Sequence, residues 1–205
     1  MQSGANMTTS KTKAKLVDVA RQLFAKMGVE NTTMNDIALA SKKGRRTLYT
    51  YFKSKEDIYL AVVESELDIL LNVMKQVAEK KISPDEKILE IIYTRLDAIK
   101  EVVYRNGTLR ANFFRDIWRV EKVRKRFDAN EILLFRDVLK EGNEQGIFQV
   151  DDINMTAEII HYCVKGIEVP YIRGHIGADL DDATRDKYVA KMIFGALHRT
   201  EKTNQ

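Results

Sequence analysis

The feature that most constrains this chain is a pair of apolar-patterned stretches near its start, each too short to stand alone. Met34-Asn35-Asp36-Ile37-Ala38 runs to about Ala40-Ser41, Lys42-Lys43-Gly44 makes a tight turn, and a second stretch runs from Arg45 to Phe52. Helices of two turns are marginal in water and persist only where an apolar face packs on something larger. Partners stand on both sides. Upstream, Leu16, Val17, Ala20, Leu23, Phe24 and Met27 fall in the rhythm of an amphipathic helix that Gly28 ends. Downstream, Ser54 caps a longer helix with Glu56-Asp57 in its first turn, and Ile58, Leu60, Ala61, Val62 and Val63 carry it toward Val77. Thr32-Thr33 supplies a cap for the first short helix, with Asp36 near the positive end of its dipole. Leu48 and Phe52, four apart, can face a small core with Leu23, Phe24 and Ile37, which leaves Arg45, Arg46, Thr47 and Tyr49 to Tyr51 for a polar outward side.

The rest of the chain reads as helix too. Ser83-Pro84 starts one that runs through Ile88, Ile91, Ile92, Leu96 and Ile99 until Asn106-Gly107 breaks it. Leu109 to Ile117 and Val123 to Glu144 form further helices, and Gln145-Gly146-Ile147-Phe148 ends the latter. Asp152 or Asn154 caps another through Ala157, Ile160, Val164 and Ile167; a Gly- and Asp-rich loop, Arg173 to Asp181, leads to a last helix from Ala183 to about His198. With two prolines and ten glycines among 205 residues, a β-rich fold is excluded and an all-α protein is expected. No run of about 18 apolar residues is present, so no membrane-spanning helix is expected. The polar start, MQSGANMTTSKTKAK, lacks the apolar middle of a signal peptide and reads as a flexible tail to about Ser10. Cys163 is the single cysteine, which excludes an internal disulfide and fits a reducing, cytoplasmic setting.

Charge is distributed unevenly. Up to Leu60 there are 11 Lys and Arg against 5 Asp and Glu; the remainder has 23 against 25. A basic first third on a slightly acidic body suggests that one end meets an anionic partner. Two short helices around a tight turn in such a segment form a candidate helix-turn-helix, whose second helix would lie in a major groove with its N-terminal half against base edges. That half is Arg45-Arg46-Thr47. Arginine suits bidentate contact with guanine, and threonine can bond a base or touch a thymine methyl. Tyr49, Thr50 and Tyr51 can reach phosphates through their hydroxyls. On the residues alone, an ordinary helical corner with a solvated basic face stands beside this reading.

From Lys13 to Leu67 the chain resembles the TetR family of transcriptional regulators. The residues that carry the resemblance are LVDVARQLFAKMGVENTTMNDIA and RTLYTYFKSKEDIYLAVVE: an amphipathic first helix ending in Gly, a Thr-Thr cap, an Asp-Ile-Ala core triplet, Thr-Leu-Tyr-x-Tyr-Phe, and Ser-Lys-Glu opening helix four. The turn departs from the family's usual Ala-Gly-Val-Ser. This chain has Ser41-Lys42-Lys43-Gly44, and Arg46 stands where glycine is common. The resemblance implies a three-helix DNA-binding domain over 11–60 after the tail of 1–10, joined by helix four to a helical ligand-binding and dimerisation domain over 61–205. It implies that Thr33 caps helix two against a phosphate, that Arg45, Arg46 and Thr47 read bases, that Tyr49, Thr50 and Tyr51 touch the backbone, and that Lys55 meets a phosphate; Lys43, where the family has an apolar residue, can snorkel outward and add a phosphate contact.

The segment KEGNEQGIFQVDDINMTAEIIHYCVKGI resembles the family's closing pattern of Gly-x-x-x-Gly-x-Phe, an acidic turn and a long helix. With the last helix it implies a four-helix homodimer interface for which Ile159, Ile160, Val164, Ile167, Val189, Ile193, Phe194 and Leu197 are candidates. The family's middle helices enclose a small-molecule pocket, and Tyr93, Arg110, Phe113, Phe114, Trp118, His161 and Tyr171 are candidate linings. The function implied is a ligand-responsive regulator, a repressor, binding a palindromic double-stranded DNA operator as a homodimer. The alternative is a protein of the same fold that binds ligands without reading DNA. Neither a cofactor nor a metal is expected: His161 and Cys163, two apart on a helix, point to different faces, and Asp151-Asp152 and Asp181-Asp182 read as caps and turns. No glycine-rich phosphate loop and no HExxH or GxSxG motif occurs, so no enzyme is expected.

Overall fold

A computed structural model describes residues 2–105, 117–176, 181, 184, 187–189, 191–192 and 195, with side chains described for 11–101, 120–176 and those later positions. Every regular element among them is helical: α1 (Gln2–Met27), α2 (Met34–Ala40), α3 (Arg45–Tyr51), α4 (Lys55–Ala78), α5 (Pro84–Arg105), α6 (Ile117–Glu144) and α7 (Ile153–Ile172). Residues 187–189 and 191–192 are helical as well. The chain divides into two compact units. One comprises Met1–Ile69 and Glu101–Lys125, the other Leu70–Lys100 and Arg126–Gln205. The divisions fall inside α4, α5 and α6, so no separate linker joins the units.

The first unit is built as the short-helix argument requires. Leu16, Val17, Ala20 and Phe24 of α1, Ile37 and Ala38 of α2, Leu48 of α3, and Ile58, Tyr59 and Val62 of α4 share one buried core with Val29 and Phe52. Leu23 packs partly buried against it. The core removes enough apolar surface from water to hold α2 and α3, seven residues each. Gly28 ends α1 with φ at 84°, its N–H donating to the Phe24 carbonyl at 2.9 Å. Only the left-handed region closes the helix this way, and glycine enters it without strain. The tail expected over residues 1–10 is corrected in part: helical backbone runs back to Gln2. Once a helix is nucleated each added residue contributes a bond, and no proline upstream of Leu16 stops it.

In the second unit, α4 buries Leu70, Leu71, Met74 and Val77. Ile88, Ile91, Ile92, Leu96 and Ile99 form the inward row of α5, and Phe127, Leu134, Phe135, Val138 and Leu139 that of α6. α7 contributes Ala157, Ile160, Val164, Tyr171 and Ile172. α6 begins at Ile117, six residues before the expected Val123, because Trp118 to Lys122 contain neither glycine nor proline to stop a helix. The corner after α6 explains the Gly-x-x-x-Gly-x-Phe pattern. Gly146 takes φ 71°, the chain reverses, and the N–H groups of Ile147 and Phe148 both donate to the Gly142 carbonyl, at 2.8 and 3.1 Å. A Cβ on Gly142 would stand 2.1 Å from the buried Phe148 ring. Asn143 locks the return: its side chain donates to the Val150 carbonyl at 2.8 Å and accepts from the Val150 N–H at 3.1 Å. Asp152 then caps α7 by accepting from the Met155 N–H at 2.9 Å.

Candidate nucleic-acid interface

The outward side of α3 depends on how α2 hands the chain over. Thr33 caps α2 within a full capping box. Its hydroxyl accepts from the Asp36 N–H at 3.2 Å and donates to Asp36 Oδ2 at 2.7 Å, while its own N–H donates to the same oxygen at 2.8 Å. The Thr33 hydroxyl, and after it the Thr33 N–H, holds the Asp36 carboxyl below its ordinary value. At the other end the Lys43 N–H donates to the Ala38 carbonyl at 3.1 Å and the Lys42 N–H to the Leu39 carbonyl at 3.0 Å. That double closure needs a left-handed residue between the two helices. Lys42 fills the role with φ 54° where the family's usual residue is glycine. Gly44 begins α3 with extended backbone and no side-chain cap.

α3 sorts its side chains as the pattern implies. Leu48 is fully buried and Phe52 nearly so. Arg45, Arg46, Tyr49 and Thr50 are exposed, and Thr47 is half-buried. These side chains, with the half-buried Lys43, form one polar, positively charged face over a closed apolar core. Three expected contacts are re-placed. Tyr51 packs half-buried against the core. The Thr50 hydroxyl donates back to the Arg46 carbonyl at 2.9 Å, leaving its oxygen free to accept only. The Lys55 ammonium donates to the carbonyls of Val29 at 2.8 Å and Glu30 at 3.1 Å, tying the start of α4 to the α1–α2 loop. Lys13 of α1, which the motif reading passed over, sets its ammonium 5.9 Å from the centre of the Phe52 ring.

The candidate pocket residues divide differently. Tyr93 is half-buried, and Tyr171 donates to Asp97 Oδ1 at 2.6 Å under the Lys100 ammonium. His161 is fully buried, with Nδ1 2.5 Å from Glu131 Oε2. Arg110, Phe113, Phe114 and the Trp118 side chain lie outside the described residues. The sequence reading missed the charged centre of this unit. Arg95 and Glu131 are fully buried, with Arg95 Nε 2.6 Å from Glu131 Oε1 in an ion pair that lacks a hydrogen bond's alignment. Glu168 is 3% exposed and stands 3.4 Å from Arg95 Nη2. A signal existed. Arg95 sits in the row of Ile88, Ile91, Ile92 and Ile99, Glu131 in that of Phe127, Leu134 and Phe135, and Glu168 in that of Val164, Tyr171 and Ile172. Each is a charge at an inward-facing position.

The candidate dimer residues divide by burial. Ile160 and Val164 are buried in the chain's own core, because they share the inward row of α7 with Ala157 and Tyr171. Ile167 and Val189 are half-buried, and Ile193, Phe194 and Leu197 lie outside the described residues. Ile159, also a candidate, is exposed on the opposite face of α7 with Met155 and Tyr162, beside Cys163 and Gly166. Tyr188 and Met192, one turn apart near the C-terminus, are exposed too.

Two short helices closed on a common core, with a basic and hydroxyl-bearing face on the second, define a helix-turn-helix DNA-binding domain. Comparison with known proteins agrees. The family described as bacterial regulatory proteins, tetR family, matches residues 16–62. The HTH-type transcriptional regulator QacR of Staphylococcus aureus is 27% identical over 158 residues, covering 76% of this chain and 83% of that protein. The HTH-type transcriptional repressor KstR2 of Mycolicibacterium smegmatis is 28% identical over 152 residues, covering 71% and 72%. Among solved structures, the regulator FadR from Bacillus subtilis in complex with stearoyl-CoA shares the fold with TM-score 0.61 and 16% identity, over 90% of this chain and 99% of that one. Residues 16–62 thus match the DNA-binding domain of the tetR family, and the chain is similar to HTH-type transcriptional regulators over most of its length.

Proposed function

We propose that this regulator represses transcription by binding a palindromic operator as a homodimer and releases it when a small molecule occupies the second unit. The observation that carries the reading is the exposed face of Arg45, Arg46, Tyr49 and Thr50 on a helix whose other side is locked into the core. Arg45, Arg46 and Thr47 read base edges; Tyr49 and Lys43 contact phosphates, with the Thr33 cap at a helix start beside them. Thr50 and Tyr51 play a smaller part than the motif suggests, and Lys55 chiefly positions the domain, with one ammonium proton left for a phosphate. One head reads too few base pairs for specificity, so two act together with half-sites about one helical turn apart. The exposed apolar residues Met155, Ile159 and Tyr162 of α7, with Tyr188 and Met192, supply the surface for pairing.

An effector acts by binding one arrangement of the dimer better than the other; without that difference it shifts nothing. Support for repression comes from KstR2, named a repressor, and support for an effector from FadR, solved in complex with stearoyl-CoA. The reading places the protein in the cytoplasm with no catalytic role; no helix among the described residues is long and apolar enough to cross a membrane. A gel-shift titration on DNA flanking the protein's own gene tests it. A sequence-preferring complex that weakens steeply with salt is expected; equal affinity for unrelated DNA would overturn it.

A further inference from the structure

Among the buried polar groups of the second unit is a histidine with one ring nitrogen unused. His161 is fully buried, and its Nδ1 is held 2.5 Å from Glu131 Oε2. Its Nε2 is equally buried and makes no hydrogen bond among the described residues. That atom faces Asp128 Oδ2 at 4.0 Å. The gap is too long for a hydrogen bond, which closes at about 2.7–3.2 Å. Two donors that share one ion at roughly 2.0–2.2 Å each stand about 3.3–3.6 Å apart in tetrahedral geometry, so a closure of about half an ångström brings both onto one ion. A carboxylate behind the far ring nitrogen is the arrangement that fixes a metal-binding histidine, since it keeps the proton on Nδ1 and leaves the Nε2 lone pair outward.

Asp128 and Glu131 bring two carboxylates to His161, with Lys165 on the Asp128 side. Lys165 stands 2.9 Å from Asp128 Oδ2 and is partly exposed, so its ammonium competes for that oxygen and can swing away. Asp128 is itself 16% exposed, which opens the site to solvent on one side. Asp128, Glu131 and His161 together offer ligand atoms within 4.8 Å of one another.

We propose that His161 Nε2 and the Asp128 carboxylate bind a divalent transition-metal ion of the nitrogen- and oxygen-preferring class, such as Zn²⁺ or Co²⁺. Glu131 orients the histidine, and water completes the coordination on the Asp128 side. The proposal stands apart from the regulatory reading, because metal binding is read without DNA.

The test titrates the purified, chelator-treated full-length protein with Co²⁺, following the visible absorption of a nitrogen-ligated ion, with Zn²⁺ as competitor. Saturation at one ion per chain is expected. Asp128→Asn and His161→Gln should abolish that signal, Glu131→Gln should weaken binding about 10–100-fold, and Lys165→Met should tighten it. Far-UV circular dichroism checks each fold. If His161→Gln does not fold, Asp128→Asn at the half-buried rim decides. No saturable binding by the wild type would overturn the proposal. Undiminished binding by folded Asp128→Asn would overturn it too, placing the ion elsewhere.

Discussion

The two units use charge in opposite ways. In the first, the residues buried between Leu16 and Val62 include Thr32 and Ser41 but no charged side chain, and Arg45 and Arg46 stand outside in water. In the second, Arg95, Glu131, His161 and Glu168 are enclosed among Ile, Leu and Phe side chains. An exposed arginine costs the fold little and is free to meet a phosphate or a base. A buried one must be matched inside, and the match is easily broken. Charge in the head therefore serves a partner, and charge in the body holds the unit's helices in one arrangement.

The sharpest way to break this comparison is to remove one charge from each unit. Arg95→Leu removes the buried guanidinium that Glu131 and Glu168 face and should cost about 3–5 kcal/mol in urea unfolding. Arg45→Ala should leave the same unfolding curve within about 0.5 kcal/mol. Equal curves for the two variants would refute the contrast. Gly142→Ala comes next, since its methyl would collide with the Phe148 ring; a loss of about 1–3 kcal/mol is expected by the same measurement.

The effect of Arg45→Ala or Arg46→Ala should appear in binding instead, as about 1–3 kcal/mol per lost base contact in a titration of specific DNA. Thr33→Ala should cost the head about 1 kcal/mol through loss of the α2 cap. The same box gives a pH dependence. Because the folded Asp36 carboxyl lies below its ordinary value, its contribution is full above the unfolded value. It falls away as pH drops through the unfolded and then the folded value. Acid titration of stability should show this loss, and Asp36→Asn should remove it. The smallest change runs the other way. Lys42→Gly should stabilise the α2–α3 turn by about 1 kcal/mol by relieving a left-handed non-glycine residue, as thermal unfolding would show.

The same contrast explains what could be read from the sequence. The head is written in adjacent residues: Thr33 to Asp36 cap and box, Ile37 and Ala38 inward, Leu48 and Phe52 four apart. Its outward face follows from what the core leaves over. Even there, Tyr51 and Lys55 were legible as residue types but not as contacts, since a loop carbonyl 26 positions away captures the lysine. The charged centre of the body draws on α5, α6 and α7, and Arg95 meets Glu168 across 73 positions. Local patterns do not encode such meetings. They leave only a charge in an apolar row. The two faces of α7 are hard to tell apart for a related reason: both carry apolar residues, and burial alone tells Ile160 from Ile159.

The central claim is that the outward face of α3 reads DNA sequence. Selection of bound DNA from a random pool tests it most directly, with the wild type and an Arg45→Ala, Arg46→Ala variant run in parallel. The account expects the wild type to enrich an inverted repeat with half-sites about one helical turn apart, and the variant to lose preference within each half-site while keeping weak, salt-sensitive binding. Enrichment of the same repeat by both proteins, or of none by the wild type, would contradict it.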